Sequence, residues 1–177
     1  DNIQGVIQMK IIDLLKMENI ILNAEISTKE EMLDTLIDLH YQSGNVMDKA
    51  QFKEGIMQRE AEGATAIADG ICIPHSKNKA VKHAGIAAMT VPTGVDCQAL
   101  DGNDSKLFFM IAAPEKGADI HLETLSRLSM ILMDSTLREQ LLNTENVDEF
   151  VKLIDEKETE KFGEEKPKRK GFGFFRK

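Results

Sequence analysis

Apolar and polar residues follow two rhythms along this chain. From Ser27 to Gly44 the rhythm is helical: Met32, Leu33, Leu36, Ile37 and His40 recur three and four apart. Ser27 with Glu30, or Thr28 with Glu31, supplies capping-box spacing at the start, and Gly44 supplies a stop. A second helix is predicted from about Asp48 to Gly63. On it Phe52, Ile56 and Arg59 share one face, so an arginine sits on the apolar stripe near the helix C-terminus. Such an arginine ordinarily snorkels toward solvent at a favourable dipole end. Residues 10–16 predict a short helix, and residues 19–23 a first strand.

The second rhythm is a near-continuous apolar run. "GIAAMTV" (85–91) and "KLFFMIAA" (106–113) have the length and the Pro and Gly punctuation of buried strands. Shorter strands are predicted around Thr65–Ala68 and Ile71–Ile73, turned by Asp69-Gly70. "ADIHLETLSRLSMILMD" predicts an amphipathic helix with Leu122, Leu125, Leu128, Ser129 and Leu132 on one face. Two more helices fit residues 135–143 and 146–158. Helices alternating with buried strands predict an α/β fold, one sheet with helices on both faces.

Composition changes this picture little. The 177 residues, 42% hydrophobic and 29% charged, suit one globular domain with a tail. No apolar run reaches the roughly 20 residues that span a bilayer, and no secretory leader is visible. Cys72 and Cys97 show no metal or redox spacing and lie in apolar surroundings. Reduced, buried thiols and a cytoplasmic setting are the expectation. Residues 1–8 read as an extension upstream of a natural-looking "MKIIDLL".

Charge changes it more. The net charge is −8 overall, but six basic residues and no acid follow from Lys166 onward. The first 165 residues therefore carry 16 basic and 30 acidic side chains, a net of −14. Such a body repels nucleic acid and favours a basic partner surface. The tail interleaves Phe172, Phe174 and Phe175 with basic residues. A solvated linker is its plain reading; a membrane-surface or docking segment is the alternative.

Familiar catalytic signatures are missing: no P-loop, no Gly-x-Ser-x-Gly, no dinucleotide fingerprint, no His-Glu-x-x-His. Four scattered histidines and two distant cysteines make a poor metal set. His75 stands out. In "GICIPHSKN" it follows Pro74, which removes a backbone donor and naturally ends a strand. Functional groups in α/β sheets gather at strand ends. A histidine there can expose one ring nitrogen as a nucleophile while a carbonyl holds the other. A loop histidine without a role is the competing reading. His121 falls in the first turn of a predicted helix, where free N–H groups and the dipole disfavour imidazolium and attract anions. Arg59 would add donors suited to phosphate oxygens. His83 lies in a charged surface segment. His40, beside Tyr41 at a helix end, reads as packing or capping, and Cys72 as core.

Together "QREAEGATAIADGICIPHSKN" and "LFFMIAAPEKGADIHLETLSRLSMILMD" resemble the fructose/mannitol-type enzyme IIA domain of the bacterial phosphoenolpyruvate-dependent sugar phosphotransferase system. The resemblance covers residues 9–158, leaving 159–177 as a linker or tail. It rests on the order and spacing of an Arg-Glu pair, a Gly-x-x-x-Pro-His stretch and a His-Leu-x-x-Leu helix. It implies a single mixed sheet of about five strands with helices on both faces, the phosphotransferase/anion transport protein-like fold. It implies that His75 is transiently phosphorylated, accepting the group from phospho-HPr and passing it to an enzyme IIB domain, with the membrane enzyme IIC engaged indirectly. His121 matches the second active-site histidine and Arg59 the arginine at the phosphoryl group. Thr65 matches a hydroxyl residue in the loop before the active site, and Ser76, next to His75, is a further phosphoryl-loop candidate. Neither cofactor nor metal is implied. Relatives often carry Ser-Thr-Gly-Ile-Gly where this chain has Ala64-Thr65-Ala66-Ile67-Ala68. Losing two glycines bars positive φ there. A regulatory domain of the same fold, tied to nitrogen status or a transcription antiterminator, is the alternative function. A non-catalytic sugar- or anion-binding module is a weaker one.

Overall fold

The computed structural model describes residues 9–117 and 119–163. The expectations for residues 1–8 and for the basic, Phe-containing tail from residue 164 lie outside the described residues.

The helices start where the polar caps direct. Thr28 Oγ1 accepts the Glu31 N–H (3.1 Å) ahead of α2 (Lys29–Gln42), and Glu31 Oε1 accepts the Ser27 N–H. Of the two capping registers open in the sequence, the Thr28/Glu31 pair is used. Met32, Leu33, Leu36, Ile37 and His40 form its buried stripe, as the spacing predicts. Asp48 caps α3 (Lys49–Glu62), which buries Phe52 and Ile56 completely.

The first strand differs from expectation. Helix α1 (Ile11–Leu14) is a single turn, and β1 (Leu15–Ile21) begins at once. Its register slips between Leu15 and Ile20 and leaves residues 16–18 exposed, so the period-2 signal is broken where a strand would show it. Residues 65–68 are not a strand either. Ala66 makes an isolated bridge to Cys72 ahead of β2 (Ile71–Cys72). The turn between them is the expected one: Asp69 and Gly70 both have positive φ (57° and 76°).

Three further strands, β3 (His75–Asn78), β4 (Gly85–Val95) and β5 (Ser105–Pro114), complete a five-stranded mixed sheet. Its order is β1-β4-β5-β2, with β3 also on β5. β4 and β5 are antiparallel; β1 runs parallel to β4, and β2 and β3 parallel to β5. Ile71 pairs with Leu107 and His75 with Ile111, so β2 and β3 keep one register along β5. Pro74 therefore interrupts an edge strand rather than ending it. It lacks an N–H, but its carbonyl still accepts the Ile111 N–H at 2.9 Å.

The strands at the centre feed two cores alternately. Ala87, Met89, Phe108 and Met110 pack under α2 and α3. Ile86, Ala88, Phe109 and Ile111 pack under α1, α4 (Ile120–Ile131), α5 (Ser135–Asn143) and α6 (Val147–Phe162). Helix α6 continues past residue 158 to Phe162.

The inward face of α4 corrects the sequence reading. Thr124, Arg127, Leu128 and Ile131 are buried, whereas Leu122 is 53% exposed. An arginine and a threonine hold stripe positions that the leucine count had filled. Arg127 is tolerated there because Glu158 of α6, itself fully buried, meets its Nε at 2.7 Å. The other Glu158 oxygen accepts the Ile11 N–H at 2.9 Å, and the guanidinium lies 4.2 Å from the Phe162 ring. Among the described residues, no helix is long and apolar enough to cross a membrane.

Candidate functional site

A cleft of roughly 390 Å³ opens where β3 passes between the C-terminal half of α3 and the start of α4. Period-2 alternation along β3 divides its side chains between the two helices. His75 and Lys77 go toward α4; Ser76 and Asn78 go toward α3. The adjacent pair His75 and Ser76, with the distant Arg59 and His121, all line this one space.

His75 is 8% exposed. Its Nδ1 lies 2.9 Å from the Ile73 carbonyl oxygen. A carbonyl can only accept, so Nδ1 of the neutral ring carries the proton and Nε2 carries the lone pair. The two histidine ring centroids are 6.4 Å apart, tilted by 38°. His121 Nδ1 is buried and has no hydrogen-bond partner among the described residues. Burial, then the neighbouring His75, lower the His121 pKa; Lys77 adds to this, and Asp119 opposes it. His121 is thus held toward its neutral form. Arg59 is half-buried, and its Nη1 donates to the Gly63 carbonyl at 2.9 Å. That bond ties the guanidinium to the end of α3 and directs its remaining face along the cleft.

Thr65 is not brought to the cleft. Its hydroxyl donates to Glu60 Oε2, and Cys72 Sγ lies 3.8 Å away. Lys29 pairs with the other Glu60 oxygen at 2.8 Å. Thr65 and Glu60 thus pin the loop to the end of α3. The alanines of this loop need no glycine: positive φ falls on Asp69 and Gly70 instead, and Ala66 is buried at 1% exposure against the core.

Several cleft residues were not singled out in the sequence: Gln58, Glu62, Lys77, Asn78 and Leu122. Period 2 from His75 would have indicated Lys77. Gly55 carried a signal too, since a glycine inside a helix costs about 1 kcal/mol against alanine. A Cβ at Gly55 would lie 2.2 Å from Asn78 Nδ2 and 2.6 Å from Ser76 Oγ, so its absence lets α3 approach β3. Cys72 and Cys97, unrelated by spacing, are both free and buried in the same core. Each thiol acts on the other, raising the Cys72 pKa and lowering that of Cys97. His83 is exposed and outside the cleft.

The cleft thus brings together a buried histidine with a fixed tautomer, a second histidine held toward its neutral form and an arginine, on a helix-flanked mixed sheet. The matching family is the phosphoenolpyruvate-dependent sugar phosphotransferase system, EIIA 2, over residues 13–157, and the chain belongs to it. It is 40% identical over 148 residues to the fructose-specific EIIABC component of Bacillus subtilis (strain 168), covering 84% of this chain but 23% of that protein. It is 38% identical over 130 residues to the fructose-specific EIIA component of Haloferax volcanii, covering 73% of this chain and 84% of that protein. Among solved structures, the nitrogen regulatory protein IIA-Ntr of Neisseria meningitidis matches with a TM-score of 0.75 at 27% identity, covering 80% of this chain and 97% of that one. The enzyme IIAMTL complex with phosphorylated enzyme IIBMTL from Escherichia coli matches at 0.71 and 26% identity, covering 81% and 99%.

Proposed function

We propose that this chain is a phosphocarrier domain. It accepts a phosphoryl group from phospho-HPr on His75 Nε2 and passes it to an enzyme IIB domain, for coupled uptake and phosphorylation of a fructose-type sugar. The observation that carries this reading is the His75 ring, anchored through Nδ1 with Nε2 left for the cleft.

In the forward step the donor's P–N bond breaks and its electron pair stays on the donor ring nitrogen. A new P–N bond forms from the Nε2 lone pair. The proton stays on Nδ1, donated to the Ile73 carbonyl, so no separate base is needed. Phosphoryl transfer asks mainly for positioning and for charge stabilisation on the equatorial oxygens. Arg59 supplies fixed cationic donors for those oxygens, and neutral His121 supplies a ring N–H without full charge. Ser76 stands beside the phosphoryl position as a hydroxyl donor. Moderate stabilisation of this kind keeps the group transferable. The acidic body favours a donor with a basic docking face. The enzyme IIB acceptor, with enzyme IIC beyond it, could lie in the same full-length chain, as the name EIIABC of the Bacillus subtilis relative indicates for that protein. Phosphoryl exchange of this kind belongs on the cytoplasmic side of the membrane.

Incubation with phosphoenolpyruvate, enzyme I and HPr should add the mass of one phosphate in an acid-labile linkage. Phosphorylation that survives His75→Ala would overturn the assignment. His121→Ala should still take up phosphate but deliver it more slowly to enzyme IIB. The regulatory alternative draws on the likeness to IIA-Ntr. Failure of the phosphorylated chain to pass its group to a fructose enzyme IIB would favour it.

A further inference from the structure

Lys77 follows His75 by two residues on β3, so both side chains leave the same side of the strand. Both line the cleft. Lys77 Nζ crosses to α4 and meets Asp119 Oδ1 at 2.7 Å. Asp119 is the N-cap residue of α4, yet its carboxylate caps no helix N–H. In this it differs from Thr28, Asp48, Asp134 and Asn146, which each accept the N–H three residues on. Its ψ is 62°, against 103° to 157° at those four caps. The Lys77 ammonium thus pairs with a carboxylate that a helix start could use, while the Leu122 N–H goes to the Asp119 backbone carbonyl at 3.1 Å.

Both partners of this ion pair are open to solvent, with side-chain exposures of 30% and 60%. Pairs of this kind contribute little net stability and are easily exchanged. A phosphoryl group on His75 Nε2 would bring about two negative charges at pH 7 into the same cleft, against the single charge of Asp119. The ammonium, on a flexible four-carbon stem, can turn toward the stronger anion. Asp119 would then be released to cap α4.

We propose, resting on the phosphocarrier reading, that Lys77 is a phosphoryl-responsive residue. It pairs with Asp119 while His75 is free and turns onto the phosphoryl oxygens once Nε2 is loaded, letting Asp119 cap α4 at the Leu122 N–H. Loading of His75 is thereby reported to the start of α4, which carries His121 and the exposed Leu122. The pair links the state of the nucleophile to the surface beside it.

The test combines phosphorylation extent with backbone amide NMR of the whole chain. Extent is read at a fixed phosphoenolpyruvate-to-pyruvate ratio with enzyme I and HPr, so that it reports equilibrium. Lys77→Met should lower the phosphorylated-to-free ratio about tenfold, the effect of losing one charge-assisted contact. Lys77→Arg should restore most of it, and Asp119→Asn should raise it. The Leu122 amide should shift on phosphorylation of the wild-type chain. In Lys77→Met it should show the capped position before any phosphate is added, and in Asp119→Ala, which has no capping oxygen, it should show it in neither state. A Lys77→Met chain with wild-type extent and an unmoved Leu122 amide would overturn this proposal alone. A wild-type chain that takes no phosphate would overturn the phosphocarrier reading and this proposal with it.

Discussion

His40 and His75 begin alike and end differently. Both are buried, at 0% and 8% exposure, and both place one ring nitrogen on a backbone carbonyl. His40 Nε2 donates to the Met110 carbonyl at 3.0 Å, and its Nδ1 accepts from Asn45 Nδ2 at 3.2 Å. Phe52 meets its ring edge-on at 5.9 Å. No ring nitrogen of His40 is left over, so it serves as a core residue that joins α2 to β5. His75 keeps one nitrogen for the cleft. A buried histidine held by a carbonyl is therefore common to structure and chemistry; the fate of the second nitrogen separates them.

The largest effect that would break this comparison is on phosphorylation. His75→Gln should abolish phosphate uptake, read by mass, while His40→Gln should still take it up. Uptake lost in His40→Gln with the fold intact by circular dichroism would erase the distinction.

The next effect is on stability against pH. Burial lowers the His40 pKa from 6.5 to about 4. As pH falls below about 6.5 the unfolded chain takes up this proton first, so stability is complete above that value and drops between pH 6.5 and 4. At about 1.4 kcal/mol for each tenfold change in proton activity, the gap is worth on the order of 3 kcal/mol. Urea unfolding of His40→Gln should show a flatter dependence than wild type across that window. Parallel curves for the two proteins would place the charge change elsewhere.

Smaller effects sharpen the comparison. Gly55→Ala should push Asn78 and Ser76 off the α3 side of the cleft and slow phosphorylation about tenfold, since misplacing a site by about 1 Å can cost more than that. Its stability should fall by only about 1 kcal/mol, because the better helix propensity offsets part of the crowding. Wild-type kinetics in Gly55→Ala would mean that β3 tolerates a looser seat. Asn45→Ala should be the mildest, costing about 1 kcal/mol by freeing His40 Nδ1. Combined with His75→Gln it should still take up no phosphate, because a free nitrogen needs a cleft as well.

The regular parts of the fold were legible because their causes are local. The caps at Thr28 and Asp48, the α2 stripe, the Asp69-Gly70 turn and the two apolar strands each follow from neighbours a few residues apart. Helix α4 was misread because its inward arginine is explained by Glu158, 31 residues away. Strand β1 was misplaced because its pairing slips in register. Pro74 pointed to a strand end, but the ladder continues past it through its own carbonyl. Within the cleft, His75, His121 and Arg59 were visible as odd residues at element ends, and Ser76 beside them. Thr65 was expected among them but belongs to the loop anchor. Lys77, Asn78 and Gly55 became meaningful only with α3 and α4 in place.

What the sequence determined by itself was therefore the helices, the two central strands with their two-sided burial and the identity of the unusual histidine. These rest on periodicity, capping and composition, which act over a single helix turn or strand. Only the tertiary structure decided which nitrogen of His75 is free, which cation faces it and why a glycine sits inside α3. Those outcomes depend on the close approach of segments that the chain brings together only on folding. β3 shows the division plainly: the sequence marked His75, but neither the strand beyond Pro74 nor which helix receives each of its sides.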